Sequence, residues 1–225
     1  MIIVFSELTG FQAIMLYSNI IFSGILSGGS SSITARQGTY IIASVNFIAS
    51  FMSIGTVRIA GRRTLLLGGH FLVALCHLLI GLFIILGSGH GVIIMTCVFM
   101  FIYQNTVEPV CQIYVTETCS DIALGVSTQI LWLVILLESL TTESLMESPL
   151  KPEGVFILFG IFSMLAVGFE WWFVAETRGL SEREKKNLYI PGTPYGRKLT
   201  HGEDEPEIGS PIMSLFSNGS SMRSN

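Results

Sequence analysis

The chain has 225 residues, half of them hydrophobic and only 12% charged, with a formal net charge of −4. Its mean hydropathy is +0.64, and a soluble domain usually carries about twice that share of charge. These values exclude an ordinary soluble catalytic domain. With no basic patch outside the apolar flanks, they also give nucleic-acid binding no support.

Six apolar runs, read as uncharged, reach the roughly 20 residues that cross about 30 Å of hydrocarbon. They cover about 2–27, 38–57, 64–87, 91–116, 122–140 and 154–174. The expected fold is all-α and polytopic, a six-span transmembrane bundle over 1–175. The opening Met1-Ile2-Ile3-Val4-Phe5 has neither a basic n-region nor a small-residue cleavage site, so it reads as the start of a span.

In the first run, Glu7, Thr9 and Gln12 bracket Gly10. Glycine permits a local break, and broken helices lie beside the binding sites of many transporters. In the second run, Asn46, Ser50 and Ser53 follow i, i+4, i+7 and share one helical face. Small polar residues of this kind also hold helices together, which is the plainer reading of the two serines. Arg58, Arg62 and Arg63 then close the run and open the next. His70 and His77 share the third run without a metal-like partner and read as packing residues.

The fourth run carries Gln104, Glu108, Gln112 and Thr116 at every fourth position, interrupted at Pro109. This reads as a polar stripe facing a hydrated cavity, because a carboxylate is too costly to face lipid. The loop before the sixth run holds Glu143, Glu147 and Glu153. Cys76, Cys97, Cys111 and Cys119 lie in or beside spans without metal-ligand spacing and are expected as reduced, packed thiols.

Orientation follows from Lys and Arg. Three lie in the second interhelical loop (Arg58, Arg62, Arg63). Seven follow the last span (Arg178, Arg183, Lys185, Lys186, Arg197, Lys198, Arg223), and the other side holds Arg36 and Lys151. The basic side is therefore expected to be cytoplasmic. Residues 176–190 are expected to form a membrane-surface segment with a short helix over Ser181–Leu188. Residues 191–225, rich in Gly, Pro, Ser and acids, are expected to be a disordered cytoplasmic tail. Asn218-Gly219-Ser220 is a glycosylation acceptor on the wrong side to be used. No nucleophile elbow, His-Glu-x-x-His run or phosphate-binding glycine loop is present, so neither an enzyme nor a cofactor is expected.

Several of these runs resemble one family. Over roughly residues 1–190 the chain resembles the C-terminal six-helix half of a sugar porter of the major facilitator superfamily. Thr9-Gly10-Phe11-Gln12-Ala13-Ile14-Met15-Leu16-Tyr17-Ser18 is similar to that family's seventh-helix run. Ala60-Gly61-Arg62-Arg63-Thr64 is similar to its Gly-Arg-Arg/Lys loop. Glu117 stands where the family has an acid closing helix ten, and Glu176-Thr177-Arg178-Gly179-Leu180 resembles its Pro-Glu-Thr-Lys/Arg-Gly-Leu signature.

The resemblance implies transmembrane transport of a sugar or related polyol by alternating access, alone or with a coupled proton, most often at the plasma membrane. It implies that Gln12 and Asn46 bind substrate, that Tyr17 belongs to an extracellular gate, and that Arg62, Arg63, Glu117, Glu176 and Arg178 form a cytoplasmic charge network. Departures from the pattern point to an altered site. Ser6-Glu7 replaces a Gln pair, Glu108 replaces a Gly, and Gln112 replaces a Trp that stacks on sugar. Glu7, Glu108 and Gln112 are therefore expected in the substrate site. Arg58 replaces an acid, Leu124 an Arg, and Ala175 the signature Pro. Family members have twelve spans, so a truncated or divergent porter is expected, working with a missing N-terminal half or a second copy. A non-transporting nutrient sensor or a transporter remnant is the alternative.

Overall fold

The computed structural model describes residues 1–26, 34–146 and 148–189, and all regular structure among them is helical. The chain orders as α1 (Ile2–Glu7), α2 (Phe11–Leu26), α3 (Ala35–Ile59), α4 (Arg62–Ile85) and α5 (Gly89–Ile102). A π-helical segment (Tyr103–Val107) follows, then α6 (Glu108–Thr118), α7 (Asp121–Met146), α8 (Lys151–Phe173) and α9 (Glu182–Lys186). Five helices are long and apolar enough to cross a membrane, with α5, the π segment and α6 forming one of them, and Ile2–Leu16 is a shorter apolar helical stretch. The tail over 191–225, including Asn218, and Glu147 of the acidic loop lie outside the described residues.

Two spans are broken, each for a local reason. Between α1 and α2, Gly10 takes φ +81, a region open to glycine and costly for other residues. A Cβ there would also lie 2.5 Å from the Phe159 ring. In the fourth span, Pro109 has no N–H to give the carbonyl four residues back. The helix widens into the π segment, where the Glu108 N–H reaches the Tyr103 carbonyl instead. A π turn holds more residues than an α turn, so the register of the expected stripe shifts between Gln104 and α6. Gln104 and Glu108 are half-buried, whereas Gln112 and Thr116 are exposed.

Without a hydrophobic drive between helices in lipid, close packing and hydrogen bonds hold the bundle. The α4–α8 contact is the most extensive. Gly160 lets α8 approach the Ala74 carbonyl and His77, and Gly81 lets α4 approach the Glu153 carbonyl. One core cluster gathers Phe11, Ile14, Phe22, Ile80, Phe99, Tyr103 and Phe156, and another gathers Ile3, Val57, Leu66, Val110, Tyr114 and Val174. Helices α7 and α3 are the least buried spans.

The fifth and sixth runs are not uncharged. Glu138 lies inside α7 and Glu170 inside α8, and both are buried. His70 is not a mere packing residue either. Its Nδ1 lies 2.9 Å from Glu170 Oε1 and 3.2 Å from the Leu66 carbonyl, with both side chains wholly buried. The carbonyl can only accept, so Nδ1 carries the proton. The pair ties α4 to α8 in the protein interior.

Candidate functional site

Four helices brace the break in the first span. His77 on α4 donates from Nε2 to the Thr9 carbonyl at 2.7 Å, since a carbonyl can only accept. Tyr103 donates its hydroxyl to the Ser6 carbonyl at 3.3 Å and lies 3.2 Å from the Ser6 hydroxyl. Its ring stacks on Phe11 with centroids 4.6 Å apart. Phe159 on α8 fills the space beside Gly10. Glu138 on α7 accepts from the Ala13 N–H at 3.3 Å, serving one of the free donors at the start of α2. A break fixed from four sides is a built feature.

Buried acceptors lie beside it on α1, α6 and α7, and others occur on α3 and the π segment. Glu7 is buried, and Glu108 and Glu138 are close enough for their charges to act on it. One carboxylate oxygen on each of Glu7, Glu108 and Glu138 is buried without a hydrogen-bond partner. The Gln104 and Asn46 amide oxygens are likewise buried and unpartnered. Asn46 is half-buried on α3, where Ser50 donates to the Asn46 carbonyl at 2.9 Å and Ser53 to the Ser50 carbonyl at 2.8 Å. Gln12 is half-buried in the first turn of α2. Tyr17 lies in α2, but its side chain is outside the described part of the structure. Gln112, in the second turn of α6, is exposed.

A second assembly joins the two basic runs at one end of the bundle. The Glu176 carboxylate accepts from the backbone N–H groups of Arg62 at 2.9 Å and Arg63 at 3.2 Å. It thereby caps α4, whose own N-cap, Gly61, has no side chain to do so. A Cβ on Gly61 would collide with this carboxylate, which explains the glycine before the two arginines. Glu176 also accepts from the Arg178 N–H at 2.9 Å. The Arg178 guanidinium donates to the Ile59 carbonyl at the end of α3, at 2.7 Å.

Glu117 is the second hub. It pairs with Arg62 Nη2 at 3.1 Å and Lys185 Nζ at 3.0 Å, and accepts from the Thr177 hydroxyl at 2.8 Å. Lys185 also meets Glu182 at 3.0 Å, and these two acids raise its pKa above the usual lysine value, Glu182 most. Arg63 donates to the Trp171 carbonyl at 2.9 Å and lies over the Trp171 ring. Trp171, Trp172 and Phe173 are exposed here, as aromatic residues are at a membrane–water boundary. All five residues expected in the charge network therefore meet in one assembly, but only Arg62 pairs its guanidinium with an acid, while Arg63 and Arg178 give Glu176 their backbone N–H groups and donate from their side chains to the Trp171 and Ile59 carbonyls. Arg58 stays outside it, exposed. Thr177 and Lys185 belong to it and carried no sequence expectation.

Among the described residues, no group of three or more His, Cys, Asp or Glu side chains could hold a metal ion. The four cysteines are free.

The family model described as sugar (and other) transporter matches residues 1–189. The chain belongs to this family. The glucose transporter GlcP of Staphylococcus epidermidis is 27% identical over 188 residues, covering 80% of this chain and 42% of that protein. Sugar transport protein 6 of Arabidopsis thaliana is 25% identical over 223 residues, covering 91% and 42%. The major myo-inositol transporter IolT of Bacillus subtilis is 26% identical over 212 residues, covering 90% and 44%. The chain thus spans less than half the length of the curated relatives it matches. A solved structure of the major facilitator superfamily proton:xylose symporter XylE, bound to 6-bromo-6-deoxy-D-glucose, superposes with a TM-score of 0.72 at 22% identity. That match covers 84% of this chain and 41% of that one. The fold is that of part of a major facilitator protein, and an integral membrane location follows from the family and the apolar helices. Family members of this kind are porters, not enzymes.

Proposed function

We propose that the chain forms the C-terminal six-helix half of a sugar porter and moves a sugar or related polyol by alternating access. The observation that carries this reading is the braced break between α1 and α2, with unpartnered acceptors around it. A sugar offers a ring of hydroxyl donors, and a transporter binds at discontinuous helices. Gln12 and Asn46 would take substrate hydroxyls, with Glu7 and Glu108 beside them and Gln112 at the edge. Tyr17 would close the outer side.

The assembly of Arg62, Arg63, Glu117, Glu176 and Arg178 would stand on the cytoplasmic side, in the plasma membrane, with residues 176–190 at the membrane surface and the tail over 191–225 in the cytoplasm. It locks the ends of α3, α4 and α6 to the segment after α8, so these elements can rock as one body. Charge pairs of this kind break and re-form as packed bundles shift. The coverage of less than half of each relative supports a partnering bundle, either a preceding half or a second copy. The least buried spans, α3 and α7, offer it a surface.

The size of the native protein tests the half-porter reading. An immunoblot with an antibody to the tail after Pro191 should show a band near twice the 24.7 kDa of this chain. A band at 24.7 kDa would contradict that reading and favour a self-assembling bundle, a sensor or a remnant.

A further inference from the structure

The substrate site proposed above has a one-sided chemistry. Glu7, Glu108 and Glu138 each present a buried carboxylate oxygen with no partner, and the Gln104 amide oxygen adds a neutral acceptor. Glu7 is only 5% exposed and Glu138 only 6%. The described lysines and arginines find their acids elsewhere or lie at the ends of the bundle, and none pairs with these three carboxylates. The neighbouring titratable groups are Tyr103 on the π segment, Cys111 on α6 and His77 on α4. Tyr103 and His77 are committed to backbone carbonyls of the break, and none of the three supplies a fixed cation. The carboxylates do not converge tightly enough to hold a metal ion.

We infer that the site takes a cationic, amine-bearing sugar or polyol in preference to a neutral hexose. This rests on the sugar-porter reading and narrows its substrate class. The ammonium would lie between Glu7 and Glu108, where its three N–H donors serve acceptors that now lack them. Glu138 would act through position: it holds the start of α2, and so Gln12, while adding negative charge beside Glu7. A neutral hexose donates one proton per hydroxyl and brings no charge, whereas an ammonium gathers three donors at one atom and favours the ionised form of the carboxyls beside it.

The test is binding to the full chain in detergent, titrated with D-glucosamine and D-glucose at a pH where the amine is protonated. One charge-assisted hydrogen bond in place of a neutral one predicts glucosamine binding about tenfold tighter. Glu7→Gln and Glu108→Gln should each bring the two sugars toward equal affinity, while Glu153→Gln, in the loop end of α8, should keep the preference. Size-exclusion profiles matching the parent identify variants that fold. Equal affinity for the two sugars in the parent protein, or a preference that survives both Gln variants, overturns the inference and leaves the sugar-porter reading standing. Binding of neither sugar overturns the inference, while the sugar-porter reading stands or falls on the uptake of hexoses and polyols by the native protein.

Discussion

Gly61→Ala is the sharpest test of the basic-end assembly. Gly61 sits at φ −71 and ψ 150, a conformation open to any residue, so the substitution strains no backbone. Its added Cβ would instead strike the Glu176 carboxylate and drive it from the start of α4. The displaced group caps two N–H donors. Losing a side-chain cap costs about 1 kcal/mol, and losing a carboxylate at a helix N-terminus costs up to about 1 kcal/mol more.

The expected loss is therefore about 2 kcal/mol, or a fall in Tm of about 4–8 °C for a chain of this size. Thermal unfolding of the detergent-solubilised protein, followed by circular dichroism, measures it. The decisive comparison is a double-mutant cycle. Once Glu176→Ala has removed the carboxylate, Gly61→Ala meets no obstacle and should become neutral or stabilising by about 0.5 kcal/mol through the unfolded chain. The two changes should thus couple by about 2 kcal/mol. Additive effects, or a Gly61→Ala protein as stable as the parent, would refute the capping argument.

Other perturbations have equally definite outcomes. Gly10→Ala forces a side chain into a positive-φ position against the Phe159 ring. It should cost at least about 1–2 kcal/mol from the backbone alone, read as a Tm fall with loss of sugar binding. Glu170→Leu takes a buried polar neighbour from His70, which keeps the Leu66 carbonyl, and should destabilise by about 1–3 kcal/mol, whereas His70→Leu with Glu170→Leu together should recover most of that loss. Lys185→Met removes the contacts to Glu117 and Glu182 and should cost about 1 kcal/mol, less at high salt. The raised pKa of Lys185 fixes the sign of its pH dependence. Its contribution is complete below the ordinary lysine value and is lost only as pH climbs through the raised one, so unfolding curves at neutral pH should not register it.

What could be read from the sequence was what local rules govern. Span positions follow from apolar run length, and the break at Gly10 from glycine beside polar residues. The charge runs at the span ends were conspicuous, but that Arg62, Glu117, Glu176 and Arg178 belong together was implied only by the family resemblance. What escaped depends on pairing between distant residues. His70 looked idle because its partner, Glu170, is exactly one hundred positions away on another helix. Glu138 was overlooked inside an apolar run, although a lone acid within a span is itself a signal of function. The π segment before Pro109 was not foreseen, although a proline inside a span must disturb the hydrogen-bond register.

The central claim is that the braced break holds a sugar or polyol. Its most direct test is uptake of radiolabelled hexoses and polyols by cells that lack their own sugar porters and express the native protein. The account predicts saturable uptake that falls at least about tenfold in Gln12→Ala and Asn46→Ala, as expected when a hydrogen-bond partner of a bound hydroxyl is removed. Saturable uptake that both variants leave intact, or none from the parent protein, would contradict it.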